Sequence, residues 1–262
     1  MSLKIISLNV NGIRNQKKRD SIFSWLKENN ADIVFLQETH CNSEHDNKQR
    51  SAEWGGQCIW STCASASRGV AILVKPNIDV VLSNSEIDPY GRYIIVDCSV
   101  DESHTHLINI YAPNIPLDRV NFFLFLNNKL KQLTDDRYVV QGGDFNCTQN
   151  AALDRRHDKK TPTHTFVEDR GNNELKRLMI ENSLEDVWRR RNPSASRYSY
   201  FKANSKIASR IDYWLISTAL DSSILNVSTK AAIYTDHSAI ILRIKTSTCE
   251  LGKGYWKLST KL

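Results

Sequence analysis

The sequence predicts a sheet-rich α/β fold that forms one domain over most of its length. Short apolar runs typical of strands alternate with segments in which apolar residues recur at helical spacing. No internal repeat or low-complexity linker divides the chain. At 262 residues the chain is long enough to bury a sizeable core. We therefore expect a single large unit with several strands and few long helices.

The predicted elements follow from apolar pattern and turn residues. The first helix covers 17–30, where Ile22, Trp25 and Leu26 stand at helical spacing. A second helix begins at Pro116, because proline suits the first helical turn, and continues to Leu133; a third covers 174–181. The strands are short apolar runs bounded by turn signals. They are predicted at 4–10, 32–37, 70–75, 92–100, 107–111, 139–142, 198–202, 211–217 and 240–245.

Composition excludes several classes of protein. Hydrophobic residues make up 40% of the chain, and the six cysteines are scattered without zinc-finger spacing. Reduced thiols are therefore expected, with no disulfide framework. No apolar run reaches the roughly 18 residues that a membrane helix needs, and the N-terminus lacks the pattern of a signal peptide. We expect an intracellular protein without a membrane partner, whose net charge of +6 is compatible with a polyanion.

Polar side chains stand where most of the predicted strands end or begin. In "VVQGGDFNC" an apolar strand leads directly into Asp144 and Asn146. One such residue is more often part of a turn than of a site, because Gly, Asp and Asn are the usual turn residues. Repetition at nearly every strand favours a site, because strand ends gather along one rim of a sheet. The set comprises Asn9, Asn11, Glu38, Tyr111, Asn114, Asp144, Asn146, Asp212, Asp236 and His237.

The chemistry of this set suits hydrolysis of a phosphoester. Carboxylate and amide oxygens without cysteine suit magnesium or manganese. Asp144 is a candidate base for activating water, and His237, oriented by Asp212, is a candidate to stabilise negative charge. The chain has neither a Gly-x-Ser-x-Gly elbow nor a P-loop, so acyl transfer and nucleoside triphosphate hydrolysis lack their motifs.

Six segments together resemble a known superfamily. In chain order they are "SLNVNG", "LQET", "IYAPN", "GGDFN", "SRIDYWLIS" and "TDHSA". This ordered set resembles the endonuclease/exonuclease/phosphatase superfamily over nearly the whole chain. The resemblance implies an α/β fold in the form of a four-layered sandwich, with two packed mixed β-sheets flanked by helices.

The resemblance also implies residue roles. Glu38 holds a divalent metal, Mg²⁺ or Mn²⁺, with Asn11 and Asp236 in the metal region. Asp144 activates or positions the attacking water, and His237 donates to a phosphate oxygen. The implied catalytic set is Asn9, Glu38, Tyr111, Asp144, Asn146, Asp212, Asp236 and His237. Within it Tyr111 is expected to contact the scissile phosphate.

Three features distinguish branches of the superfamily. Asn11 stands where abasic-site repair enzymes carry aspartate, and Ser209 stands where they carry a tryptophan that walls the sugar pocket. The segment Gly252–Leu262 is similar to the one that follows the endonuclease in LINE-type retrotransposon polyproteins. The resemblance implies an endonuclease domain at 1–246 and a tail at 247–262. It implies an enzyme that nicks nuclear double-stranded DNA and leaves a 3′-hydroxyl, which primes the reverse transcriptase of the same polyprotein.

DNA contacts are predicted beside the site motifs. The segments 153–160 and 201–210 are basic or polar, and either suits a phosphate backbone. The predicted contacts are Asn11, Arg14, Asn114, Arg155, Ser199, Lys202 and Arg210. The basic run 188–192 is interpreted as a solvated helix end. Three alternatives stay open at this point: an abasic-site repair endonuclease, a phosphatase for a small lipid or inositol substrate, and a non-enzymatic DNA-binding module.

Overall fold

A computed structural model describes residues 2–63, 67–100, 103–133, 138–156, 167–204 and 206–246. These residues form two six-stranded sheets, one small three-stranded sheet and flanking helices. The tail predicted at 247–262 lies outside the described residues. None of the helices in the described ranges is both long and apolar enough to cross a membrane.

The first sheet is mixed. In spatial order its strands are β14 (Ile224–Ala231), β15 (Ser238–Lys245), β1 (Ser2–Asn9), β2 (Ile33–Gln37), β4 (Val70–Val74) and β3 (Cys58–Ser61). Strands β1 and β2 are parallel, and the other neighbours are antiparallel. Because β1 and β2 are parallel, their carboxyl ends meet at the same edge of the sheet.

The second sheet repeats this arrangement. In spatial order its strands are β10 (Leu184–Asp186), β13 (Asp212–Ser217), β8 (Tyr138–Asp144), β7 (Ser103–Tyr111), β6 (Tyr93–Val100) and β5 (Val81–Ile87). Here β7 and β8 are the parallel pair. A third, small sheet consists of β11 (Tyr200–Phe201), β12 (Ala208–Ser209) and β9 (Arg155–Arg156).

The longer helices lie on the outer faces of the two large sheets. They are α1 (Gln16–Glu28) and α2 (Glu44–Trp54) on the first sheet and α3 (Pro116–Gln132) and α5 (Asn172–Glu181) on the second. The shorter helices are α4 (Ala151–Asp154), α6 (Val187–Arg191) and a 3₁₀ helix at Thr218–Ser223. Helix α1 begins where the Asn15 side chain accepts a hydrogen bond from the Lys18 amide. Helix α3 begins at Pro116 as predicted.

Three apolar clusters hold the layers together. The central cluster lies between the sheets, where Phe35 and Trp214 pack with ring centroids 5.4 Å apart. A second cluster joins α1 and α2 to the first sheet through Phe23 and Trp54, and a third joins α3 and α5 to the second sheet around Phe123. The order helix, sheet, sheet, helix confirms the predicted four-layered sandwich.

The two glycines of β8 that directly precede Asp144 are required by close packing. A Cβ on Gly142 would lie 2.3 Å from the Trp214 ring, so only glycine leaves space for the indole. Gly143 has φ of +139°, and a Cβ there would lie 2.1 Å from the Ile110 carbonyl oxygen. The "GG" of this motif therefore allows close packing at the strand end and is not a simple turn signal.

Several elements were not predicted from the sequence. Helix α2 buries only Arg50 and Trp54, so it carries little apolar periodicity, although Ser43 and Gly55 cap its ends. Strands β5 and β14 are largely exposed and polar, and β3 is only four residues long. The strand predicted at 198–202 is shorter, because only Tyr200–Phe201 pairs in the small sheet.

Candidate active site

The strand ends of both large sheets meet at one rim. In the second sheet, Asp144 is paired in register with Tyr111 on one side and Asp212 on the other. In the first sheet, Asn9 ends β1 beside the end of β2, which leads into Glu38. Residue His237 immediately precedes β15. Sheet registry therefore gathers side chains that are more than 200 residues apart in the sequence.

Asp212, His237 and Asp144 form a buried cluster. The Nδ1 atom of His237 lies 2.9 Å from Asp212 Oδ2, and its Nε2 atom lies 4.0 Å from Asp144 Oδ2. Burial alone lowers the pKa of His237, but the charge of Asp212 and its hydrogen bond raise it to about 10. The imidazole is therefore protonated at neutral pH, and Nε2–H is a donor directed away from Asp212.

The pKa of Asp144 is also raised, but for a carboxyl group this favours the neutral form. Burial, and then the charge of Asp212, raises its pKa to about 7. Its oxygens accept hydrogen bonds from the Asn9 side chain at 3.0 Å and from the backbone amide of Asn146 at 2.8 Å. A carboxylate with a pKa near neutrality is well matched to accept a proton from water.

Glu38 remains ionised in the same cleft. Burial raises its pKa, but hydrogen bonds from His40, Asn9 and Tyr111 together lower it below its usual value. Asn9 Nδ2 lies 2.9 Å from Glu38 Oε1 and 3.0 Å from Asp144 Oδ2, so one amide links the two carboxylates. Burial also raises the pKa of Tyr111, which keeps its hydroxyl protonated as a donor.

These groups surround a cleft of about 340 Å³. Its lining residues are Asn11, Glu38, Asn114, Asp144, Asn146, Tyr200, Ile211, Asp236 and His237. The three predicted metal ligands, Glu38, Asn11 and Asp236, all belong to this lining. They offer only carboxylate and amide oxygens, which fit a hard divalent cation. Their assignment as ligands remains a prediction.

Five of the seven predicted DNA contacts remain predictions, and the structure contradicts the other two. Asn11 and Asn114 line the cleft, and Lys202 is exposed at the end of β11. Arg14 is exposed, and its Nε donates to the His40 carbonyl at 2.6 Å. Arg155 is half-buried in an ion pair with Asp169. Contacts from these five residues to DNA remain predictions.

The structure contradicts a direct DNA contact by Arg210. Its side chain is buried between Asp154 and Asp186, with Nε 2.7 Å from Asp154 Oδ1 and an Nη atom 2.5 Å from Asp186 Oδ2. The guanidinium also packs 5.3 Å from the Trp188 ring. Since its donors are satisfied inside the protein, Arg210 stabilises the segment that leads to Asp212.

The prediction for Ser199 is wrong for a similar reason. Its side chain is buried, and Oγ accepts hydrogen bonds from the backbone amides of Ile211 at 3.1 Å and Asp212 at 3.0 Å. Its carbonyl accepts a hydrogen bond from the Ser238 amide at 2.6 Å. Ser199 therefore holds the backbone on both sides of the Asp212–His237 pair and does not face a ligand.

Sequence reasoning missed three residues of this region. Tyr200 and Ile211 line the cleft. The Thr235 hydroxyl donates to the Asn9 carbonyl at 2.8 Å and accepts from the His237 amide at 3.2 Å. A signal for Tyr200 existed, because a strand over 198–202 places Tyr198 and Tyr200 on the same face.

Comparison with known proteins agrees with this geometry. The sequence profile of the Endonuclease/Exonuclease/phosphatase family matches residues 6–237. The chain belongs to this family. Its six motif segments begin and end almost where the profile does, so the resemblance that they carry is confirmed.

The chain is similar to the transposon TX1 uncharacterized 149 kDa protein of Xenopus laevis, with 30% identity over 265 residues. That match covers 100% of this chain but only 20% of the Xenopus protein. An exodeoxyribonuclease of Bacillus subtilis is 26% identical over 92% of this chain and 99% of its own length. The AP endonuclease LMAP from Leishmania major shares the fold, with a TM-score of 0.79 at 18% identity over 93% of this chain and 88% of that one.

Proposed function

We propose that this family member is a divalent-metal-dependent DNA endonuclease that nicks one strand of double-stranded DNA. We further propose that the 3′-hydroxyl it leaves primes reverse transcription of a LINE-type retrotransposon. The observation that carries the nuclease proposal is the facing pair of a buried carboxylate near neutral pKa and a protonated histidine beside one cleft. Similarity to a transposon protein supports the second step.

The geometry supports a division of labour in the hydrolysis. Asp144 accepts a proton from the attacking water, whose oxygen bonds to phosphorus while the bond from phosphorus to the 3′-oxygen breaks. His237 donates through Nε2 to a phosphate oxygen and stabilises the charge that develops there, and Asp212 holds the ring in position. The net reaction adds water across one phosphodiester bond and gives a 3′-hydroxyl and a 5′-phosphate.

The metal would be Mg²⁺ or Mn²⁺, held by Glu38 with Asn11 and Asp236. When bound, such an ion supplies positive charge to phosphate oxygens. Glu38 lines the cleft, and its hydrogen bonds keep its carboxylate ionised there. We propose that double-stranded DNA lies across this cleft and that the enzyme acts in the nucleus, in one polyprotein with a reverse transcriptase domain.

Incision at abasic sites is the second candidate, because the fold is that of an AP endonuclease. Against it, Ser209 pairs with Tyr200 and Arg155 in the small sheet, and its small side chain offers no aromatic wall beside Ile211. In the abasic-site repair enzymes that the motifs resemble, a tryptophan at this position walls the sugar pocket. The two candidates therefore differ in the substrate that they prefer.

One experiment tests both candidates. Supercoiled plasmid and a duplex oligonucleotide with a single abasic analogue are incubated in Mg²⁺ with wild-type protein, Asp144→Ala and His237→Ala. Asp118→Ala, a charge change at an exposed position of helix α3, is the matched control. We expect nicking of intact plasmid by wild type and control only. Equal nicking by the Asp144 variant would refute the site, and much faster cutting at the abasic analogue would favour repair.

A further inference from the structure

Tyr200 is held firmly at the wall of the cleft. Its backbone pairs with Ser209 in the small sheet and forms a bridge to His237. Next to it, the Phe201 amide donates to the Asp236 carbonyl at 3.0 Å. The Tyr200 ring packs against the imidazole of His237 with centroids 5.1 Å apart. The position of this phenol is therefore fixed relative to the donor that faces the phosphate.

The cleft is rich in hydrogen-bond acceptors. Glu38, Asp144 and Asp236 line it with carboxylates, which only accept hydrogen bonds when ionised. A phosphodiester is also an acceptor, so it needs donors as well as a cation to enter. The amide of Asn9 already donates to two of these carboxylates, and the Tyr111 hydroxyl already donates to Glu38. These groups are committed before a substrate arrives.

The Tyr200 hydroxyl is in a different situation. Within the described ranges we find no hydrogen bond to it, and Tyr200 lines the cleft beside His237. A tyrosine hydroxyl ordinarily has a pKa of about 10, so it keeps its proton at neutral pH beside Glu38, Asp144 and Asp236. Tyr200 shares the cleft lining with these three carboxylates. It is an uncommitted neutral donor in an acidic cleft.

We propose that Tyr200 is a substrate-contacting residue whose hydroxyl donates a hydrogen bond to a non-bridging oxygen of the scissile phosphate. This inference rests on the proposed nuclease function and adds a second donor next to His237 Nε2.

The test is single-turnover cleavage by wild type and Tyr200→Phe, which keeps the ring packing on His237. Tyr138→Phe is the matched control, because this exposed tyrosine lies at the opposite end of β8 from Asp144. We expect kcat/KM of Tyr200→Phe to fall about 10- to 100-fold, the effect of one hydrogen bond to a charged group, with an unchanged melting temperature. The control should cleave like wild type.

A sulfur substitution separates contact from indirect effects. Three duplexes carry the mapped nick site. One has an ordinary phosphate at the cleaved position, and each of the other two has one of the two phosphorothioate diastereomers there. The ratio of wild-type to Tyr200→Phe rates should fall toward one on one diastereomer, because sulfur is a poor acceptor. A wild-type rate for Tyr200→Phe, or an equal loss on all three substrates, would overturn the contact. If wild type and Asp144→Ala nick equally, the nuclease function itself fails, and the contact fails with it.

Discussion

The substitution Asp212→Asn tests how the protein keeps His237 charged. Burial lowers the pKa of His237, but the charge and hydrogen bond of Asp212, followed by the charges of Asp144 and Asp236, raise it from 6.5 to about 10. At about 1.4 kcal/mol per pKa unit, this corresponds to roughly 5 kcal/mol in favour of the imidazolium. Asparagine keeps the shape of the side chain but removes the charge. Only the charges of Asp144 and Asp236 then oppose burial, so the pKa of His237 should fall from its raised value.

The expected kinetic result follows from this shift. At pH 7.5 a larger fraction of the variant has a neutral imidazole, whose Nε2–H is a weaker donor, and nicking should fall about 100- to 1000-fold. Lowering the pH toward 6 restores part of the imidazolium in the variant and changes nothing at His237 in the wild type. The ratio of variant to wild-type rate should therefore rise as the pH falls.

The assay is plasmid nicking between pH 6 and 8.5, supported by the titration of His237 in an NMR spectrum. Asp118→Asn serves as the control for removal of a carboxylate elsewhere. A rate ratio that stays flat across this pH range, or a His237 signal that still titrates far above pH 7 in the variant, would refute the argument. A purely structural loss gives the flat profile.

Three further predictions concern packing, buried charge and metal. Gly142→Ala forces a Cβ against Trp214 and should cost about 1–3 kcal/mol of unfolding free energy, seen as a lower melting temperature in calorimetry; an unchanged value would contradict the packing. Asp154→Asn leaves buried Arg210 without full compensation and should cost about 3–5 kcal/mol in urea unfolding at pH 7. Burial raises the pKa of Asp154, but Arg210 and Arg189 hold it below its usual value, so the wild-type advantage should shrink only as the pH falls below about 4. EDTA should abolish nicking, and added Mg²⁺ should restore it. Glu38→Gln should raise the Mg²⁺ concentration that gives half-maximal nicking roughly tenfold or more. An unchanged dependence of nicking on Mg²⁺ concentration would show that Glu38 is not a metal ligand.

Much of the site could be predicted because strand ends carry a readable signal. Apolar runs identified β1, β2, β7, β8 and β13, and the polar residues at their ends lie at one rim in the structure. The packing between neighbouring strands gave no such signal. Nothing in the sequence relates Gly142 to Trp214, and only the cross-strand register of β8 and β13 places them together.

The errors have a common physical cause. Arg210 and Ser199 are polar residues next to a site motif, and such residues usually face solvent or a ligand. Their partners are distant in the sequence, since Arg210 pairs with Asp154 and Asp186, and no local pattern reveals these contacts. Helix α2 was missed because its stability depends on caps and two buried side chains, which leave weak periodicity.

The Asn9 amide spans the boundary between the two sheets, because it touches Glu38 on one and Asp144 on the other. The reaction centre is thus assembled from two sheets whose alignment depends on the apolar cluster between them. A substitution deep in that cluster, near Phe35 and Trp214, would shift one sheet against the other by a fraction of an ångström. Such a change would impair turnover well before it unfolds the protein, so distant core positions belong to the functional design of this enzyme.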